Sequence, residues 1–260
     1  MSDYTYHFDD AAIDRFNEIL ENRIGDSSGH HEQDFFDTLN VLLALNREGS
    51  CLDVGAGVGR ITSIARETVA EVVALEPDEM RWGECLRHYH QERSCEVLCQ
   101  TTSQYIRSNP CRRFDLIIVS MVIQHLSTEA TKELMRDIAH LLKPTGTAII
   151  STTHTIEAAK GFSFSGDPHR VYIGKKEFDD YASAPSSAQK NGLPVRRFSK
   201  EDLYEEIQAV GLHAILWRQI SYYKPNGARF FANRLGVDVQ DLQDVGNSQF
   251  IVVQNRPLGS

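Results

Sequence analysis

The chain is poor in the residues that mark special classes of protein. Its 260 residues include five cysteines, eight prolines and two tryptophans. Cys51, Cys85, Cys95, Cys99 and Cys111 are odd in number and none is spaced Cys-x-x-Cys. Neither a zinc site nor a disulfide framework is expected, and no metal is assigned. No apolar run reaches the ~18 to 20 residues that a membrane helix needs, so no span is expected. The opening Met1-Ser2-Asp3-Tyr4 lacks the basic and apolar regions of a secretion signal, and the expectation is a cytoplasmic protein. Basic residues are outnumbered 27 to 36, a formal charge of −9. That balance disfavours nucleic acid as a partner, because phosphate binding calls for a basic patch. The cluster Arg107, Arg112 and Arg113 reads as a solvated loop. Internal repeats and low-complexity tracts are lacking.

What is present is a pattern of alternating elements. With 41% hydrophobic residues, a chain of this length can bury a substantial core as one domain with insertions. Two amphipathic helical patterns come first, one on Phe8, Ala12, Phe16, Ile19 and Leu20 and one on Phe35, Phe36, Leu39, Leu42, Leu43 and Leu45. Gly25 to His31 reads as the loop between them. From Gly49 onward, strands are expected near 50–54, 71–75, 95–100, 114–120 and 146–151, alternating with helices near 59–68, 78–90, 102–108 and 128–142. This alternation is that of a parallel sheet covered by helices on both faces. Phe198 to Leu203 opens a further helix with a capping-box signature, Gly211 ends it, and strands follow near 212–220 and 248–254.

The segment with the most chemistry is Leu52-Asp53-Val54-Gly55-Ala56-Gly57-Val58-Gly59-Arg60, paired with Ala74-Leu75-Glu76-Pro77 at the end of the next strand. Three glycines within five residues make a turn whose backbone a ligand can approach closely. Glu76 stands where a carboxylate accepts both hydroxyl hydrogens of a ribose. The spacing is G-x-G-x-G, and Arg60 occupies the region where a dinucleotide site would want its third glycine one residue later. The loop therefore suits a nucleoside ligand without phosphates better than NAD.

These residues resemble the first motif of the class I S-adenosylmethionine-dependent methyltransferases, an acidic residue before G-x-G-x-G. The resemblance continues in order through Arg113 to Val119 (the fourth strand), Ser120 to Leu126 (its following loop) and Leu141 to Ile150 (the "L-K-P-G-G" turn and fifth strand). It implies a doubly wound seven-stranded sheet, the last strand antiparallel, with N-terminal helices over the cofactor. The domain expectation is a helical cap at 1–47 and a methyltransferase domain at 48–260, with insertions at 152–197 and 221–247. S-adenosyl-L-methionine is the implied cofactor and S-adenosyl-L-homocysteine the product. By the resemblance, Asp53, Gly55, Ala56 and Gly57 surround the methionine portion, Arg60 pairs with its carboxylate, and Glu76 holds the ribose. Pro77 or Asp78 and the turn Thr101-Thr102-Ser103 bracket the adenine, while Ser120, Met121 and Val122 flank the sulfonium. Gly-Arg-Ile-Thr at 59–62 and Val122-Ile123-Gln124-His125-Leu126 are similar to the protein N-terminal methyltransferases, so a peptide α-amino terminus is an alternative acceptor.

Acceptor identity is expected to reside in the insertions. Loops of that length within a compact domain are usually functional lids or small subdomains, and here both carry aromatics. Candidate bases are His125 after the fourth strand, His154 after the fifth, and His169 with Asp167 in the first insertion. His30 and His31 are weaker candidates, since adjacent side chains point different ways. A base is required only if the acceptor is protonated at working pH. The favoured function is methyl transfer to an O or N atom of a small organic acceptor. A protein that binds the cofactor without methylating is a further alternative.

Overall fold

A computed structural model describes residues 33–89, 94–155, 161–165, 171–184, 193–221 and 247–255. The first amphipathic pattern, the loop at 25–31, His169 with Asp167, and nearly all of 221–247 lie outside the described residues.

The described elements run α1 (Gln33–Leu45), β1 (Ser50–Val54), α2 (Arg60–Arg66), β2 (Glu71–Leu75), α3 (Glu79–Tyr89), β3 (Cys95–Leu98), α4 (Thr102–Ser108) and β4 (Phe114–Ser120). A 3-10 turn (Ile123–His125) leads to α5 (Thr128–Leu141) and β5 (Leu142–Thr153). Then follow β6 (Phe162–Ser165), β7 (Val171–Tyr172), α6 (Lys175–Ala182), β8 (Leu193–Arg196), α7 (Lys200–Ala209), β9 (Leu212–Ser221) and β10 (Asn247–Asn255). Seven strands form one sheet in the order β3-β2-β1-β4-β5-β10-β9. The first five are parallel, and β10 is antiparallel to both its neighbours, β5 and β9. The sheet class and the antiparallel last strand are those the sequence implied.

Central position explains the strand sequences. β1 is buried at all five residues, as a parallel strand covered on both faces must be. One face packs Phe35, Leu39 and Leu43 of α1 with Ile61, Ala65, Cys85 and Tyr89; the other packs Tyr105, Leu134, Met135 and Ile138 with Leu203 and Ile207 of α7. Burying one such leucine or isoleucine side chain contributes roughly 1.5–3 kcal/mol, so the stripes on the helices, rather than helix propensity, hold the layers together.

Two boundaries differ from the sequence reading. β3 stops at Leu98 because the Gln100 N–H turns back onto the Leu98 carbonyl. β5 starts at Leu142 rather than 146, since Leu142 already pairs with Phe114; the Lys-Pro-Thr-Gly stretch then bulges out at a register shift before Thr147 pairs with Leu116. The arginine cluster also differs in part. Arg112 forms an ion pair with Glu71 and lies over the Phe114 ring, whereas Arg107 is exposed.

The first insertion folds as a small antiparallel sheet, β7-β6-β8, with α6 packed on it. Its aromatics pack on one another, Phe164 on Tyr181 at 4.4 Å and Phe162 on Phe178 at 5.1 Å between ring centroids. They form a satellite core with Phe178 fully buried. Polar ties attach this unit to the rest of the domain. The Asp179 carboxylate accepts the Thr128 N–H at the start of α5 (2.6 Å), and the Thr153 hydroxyl donates to the Arg196 carbonyl (2.7 Å).

Candidate functional site

The sheet order reverses between β1 and β4, which places the carboxyl ends of β2, β1 and β4 side by side. Ligands of open α/β sheets bind in the crevice at such a switch point. The glycine turn leaves β1 there, pinned by the Gly55 and Ala56 N–H groups, which both donate to the Leu75 carbonyl (2.8 and 3.0 Å).

Each glycine of the turn has its own reason. Gly55 has φ +69°, and a Cβ on it would meet Val122 Cγ2 at 2.5 Å. Gly59 has φ +98° and would strike the Tyr89 ring at 2.6 Å, while the Tyr89 hydroxyl donates to the Gly59 carbonyl at 3.0 Å. Gly57 has φ +59° but a Cβ there would meet nothing within 4 Å. The outer two glycines are therefore packing requirements, and Gly57 is the one that faces open space.

Two carboxylates flank this turn. Asp53, 1% exposed, accepts a hydrogen bond from the Thr62 hydroxyl of α2 at 2.6 Å. Burial pushes its carboxyl up to about 6, the nearby Glu76 adds to the rise, and the Thr62 bond and Arg60 oppose it. Glu76, 3% exposed, accepts from the Gly57 N–H at 2.7 Å through one oxygen and from the Asp78 N–H at 2.9 Å through the other. Burial raises its carboxyl as well, against the two backbone donors. A carboxylate has about four lone-pair positions, so each oxygen of Glu76 keeps capacity for a hydroxyl donor.

The remaining expected positions divide. Pro77 is half-buried beside Glu76, and its carbonyl accepts the Cys99 thiol (3.7 Å). Ser120 accepts from the Ser151 hydroxyl at 3.2 Å. Met121 is the one described non-glycine residue with positive φ, +56°, and its N–H donates to the Ser151 carbonyl. A long side chain in this region costs of order 1–2 kcal/mol and marks a constrained bend at the sheet edge. Thr102 and Ser103 both donate their hydroxyls to Asp137 of α5 (2.6 Å each), tying α4 to α5. The Arg60 guanidinium lies over the Phe36 ring of α1 at 5.3 Å.

Sequence reasoning passed over Gln100. Its Oε1 is buried without a hydrogen-bond partner, one strand away from Glu76 at the same sheet edge. Native interiors rarely leave such an acceptor unmet, and an orphan acceptor at a ligand edge points to a donor on the ligand. A polar residue at the end of the strand that follows Glu76 was the signal available.

Of the histidines, His125 and His154 are placed as ties between elements. The Nδ1–H of His125 donates to the Pro194 carbonyl of β8 (3.0 Å), because a carbonyl only accepts, and its Nε2 then accepts from the Gln124 amide (3.3 Å). Burial holds this imidazole down at about 4. His154 is buried, donates Nδ1–H to the Phe198 carbonyl (3.0 Å), and stands edge-on to Trp217. Burial lowers it likewise. Among the described residues no cluster of His, Cys, Asp and Glu is arranged to hold a metal, and no helix is long and apolar enough to cross a membrane.

Known proteins agree with this geometry. No curated protein matches the sequence. The fold is shared with an S-adenosylmethionine-dependent methyltransferase of Mesorhizobium loti (16% identity, 87% of this chain and 99% of that one, TM-score 0.56). It is also shared with the [4+2]-cyclase SpnF (17% identity, 84% and 81%, TM-score 0.52). A third is the Burkholderia thailandensis 1,6-didemethyltoxoflavin-N1-methyltransferase, solved with that compound and S-adenosylhomocysteine (17% identity, 96% and 93%, TM-score 0.53). The methyltransferase-domain family matches residues 28–216. The chain belongs to that family and is a class I S-adenosylmethionine-dependent methyltransferase.

Proposed function

We propose that the enzyme transfers a methyl group from S-adenosylmethionine to an oxygen or nitrogen of a small organic acceptor. In this reading Glu76 accepts the ribose hydroxyls, with Pro77 and the orphan Gln100 Oε1 at the adenine side. Gly55, Ala56 and Gly57 offer their backbone to the methionine portion, and Asp53 holds that turn to α2 through Thr62. Ser120 and Met121 flank the methyl end. The residues fit the cofactor: a buried carboxylate with spare acceptor capacity, a glycine without a neighbour where a Cβ would go, and an unmet acceptor share one edge.

When bound, S-adenosylmethionine supplies a carbon already activated by sulfonium, so the acceptor's lone pair forms the new bond as the carbon–sulfur bond breaks. The protein's share is alignment and exclusion of water. A proton leaves the acceptor only if it carries one, and this sets whether a base is needed. His125 and His154 have their Nδ1 protons committed to carbonyls.

The observation that carries the small acceptor is the seat of the first insertion. β8 is tied to the turn after β4, and α6 to the start of α5. An edge roofed in this way suits a compact molecule over a folded protein surface. The Burkholderia thailandensis enzyme, which shares the fold, was solved with 1,6-didemethyltoxoflavin and S-adenosylhomocysteine bound. Arg60, central to the likeness with N-terminal methyltransferases, stacks on Phe36.

The test has two stages. Calorimetric titration with S-adenosylhomocysteine should show binding in the wild type, weakened at least tenfold in Glu76→Gln, with NADH as a control that does not bind. Incubation with methyl-labelled cofactor and panels of phenols, heterocyclic amines and short peptides then reports the acceptor. Label on the small molecules supports the proposal. Label confined to peptide α-amines overturns it, and binding without any transfer favours a non-methylating role.

A further inference from the structure

His125 sits at the junction of three parts of the molecule. A one-way chain of hydrogen bonds runs through it: the Thr152 hydroxyl of β5 donates to Gln124 Oε1 (3.3 Å), the Gln124 amide to His125 Nε2 (3.3 Å), and His125 Nδ1–H to the Pro194 carbonyl (3.0 Å). Thr152 and Gln124 are 0% and 1% exposed, so these polar groups find their partners in one another rather than in water. Because the Pro194 carbonyl can only accept, Nδ1 of the neutral ring carries the proton and Nε2 accepts, which turns the Gln124 amide nitrogen toward the ring and its Oε1 toward the Thr152 hydroxyl. On the other side of the same turn, Val122 packs against Gly55 of the glycine loop. A single short segment, Val122 to His125, thus touches the cofactor loop at one end and the inserted sheet at the other.

We propose that His125 is a positioning residue, a latch that holds the inserted sheet against the turn after β4 so that the cofactor loop and the acceptor side move as one body. This rests on the methyltransferase reading for the meaning of the two sides. The physical case is that a buried carbonyl deprived of its donor is costly to leave unmet. Loss of the Nδ1–H therefore favours lifting β8 away from the turn. Pro194 has no N–H of its own, so its carbonyl is its whole main-chain contribution at that point.

The test uses the full-length protein, His125→Ala and His125→Asn, with S-adenosylhomocysteine as the probe. Asparagine places an amide donor near the position of Nδ1. Hydrogen exchange at 162–165 and 193–196 should quicken at least tenfold in His125→Ala and return to within threefold of wild type in His125→Asn. S-adenosylhomocysteine should protect these amides in the wild type. In His125→Ala that protection should be lost while the affinity stays within threefold. Nitrogen-15 spectra of the wild-type imidazole provide a readout independent of any variant's folding: a neutral ring protonated at Nδ1 throughout pH 5.5–8. Arg81 is the charged group felt by the ring.

Unchanged exchange in His125→Ala overturns the latch, as does an asparagine variant no better than alanine. A ring protonated at Nε2, or one titrating near its ordinary value, overturns it as well. Failure of the wild type to bind S-adenosylhomocysteine would instead count against the methyltransferase reading, with the exchange and tautomer results still deciding the latch.

Discussion

Val122 and Gly55 interlock: the valine methyl occupies the space where any side chain at 55 would begin, 2.5 Å from an ideal Cβ, and the glycine backbone is left-handed there. Gly55→Ala is therefore expected to be destabilising by about 2 kcal/mol or more from strain and overlap together, and to weaken S-adenosylhomocysteine at least tenfold. Val122→Ala in the same chain should recover part of the stability. Gly57→Ala separates the two effects, since its Cβ meets nothing. Its melting temperature should fall only modestly, from left-handed strain of about 1 kcal/mol, while ligand affinity drops as sharply. Melting curves and calorimetry on the four proteins check this. Equal stability losses at 55 and 57 would contradict it.

Asp53 predicts a pH dependence. Its folded carboxyl is raised to about 6 from an ordinary value of 3.8, chiefly by burial and then by Glu76. The folded state therefore holds this proton to a higher pH than the unfolded chain, and stability from this group falls as pH rises between those values and stays lower above about 6. Asp53→Asn should melt higher than wild type at pH 7.5, by an amount on the order of 2 kcal/mol, with the difference shrinking towards pH 4. A mutant advantage that grows on acidification would disprove the assignment.

Arg196 and Glu206 form a buried pair, 3.3 Å apart, with Arg196 also stacked on Phe198 at 4.1 Å. Glu206→Ala leaves the guanidinium buried without its carboxylate and should cost about 3 kcal/mol. Replacing both, Arg196→Met with Glu206→Leu, should cost much less than Glu206→Ala. Urea unfolding of the two variants gives the comparison.

Gln100→Leu removes an acceptor that has no partner. The apo protein should be as stable as wild type or slightly more so, while S-adenosylhomocysteine binds about tenfold more weakly, the loss expected for one hydrogen bond to a ligand. Unchanged affinity would show that Oε1 is met by something other than ligand.

By itself the sequence determined the alternation of strands and helices, the glycine turn and the carboxylate of Glu76. These are local: apolar period, turn chemistry and strand ends are properties of neighbouring residues. Tertiary structure alone decided what those residues touch. Only packing against Val122 and Tyr89 distinguishes Gly55 and Gly59 from Gly57, and nothing in the order G-x-G-x-G separates them. That the hydroxyls of Thr102 and Ser103 meet Asp137 is decided by α5, which brings it to them from 35 and 34 positions away. His125 reads as a candidate base from its place after β4, and its one ring proton, on Nδ1, is held by the carbonyl of Pro194, 69 residues further on. Such partners are chosen by chain reversal and burial, where an unmet polar group is costly, and no local window of sequence contains both ends of the bond.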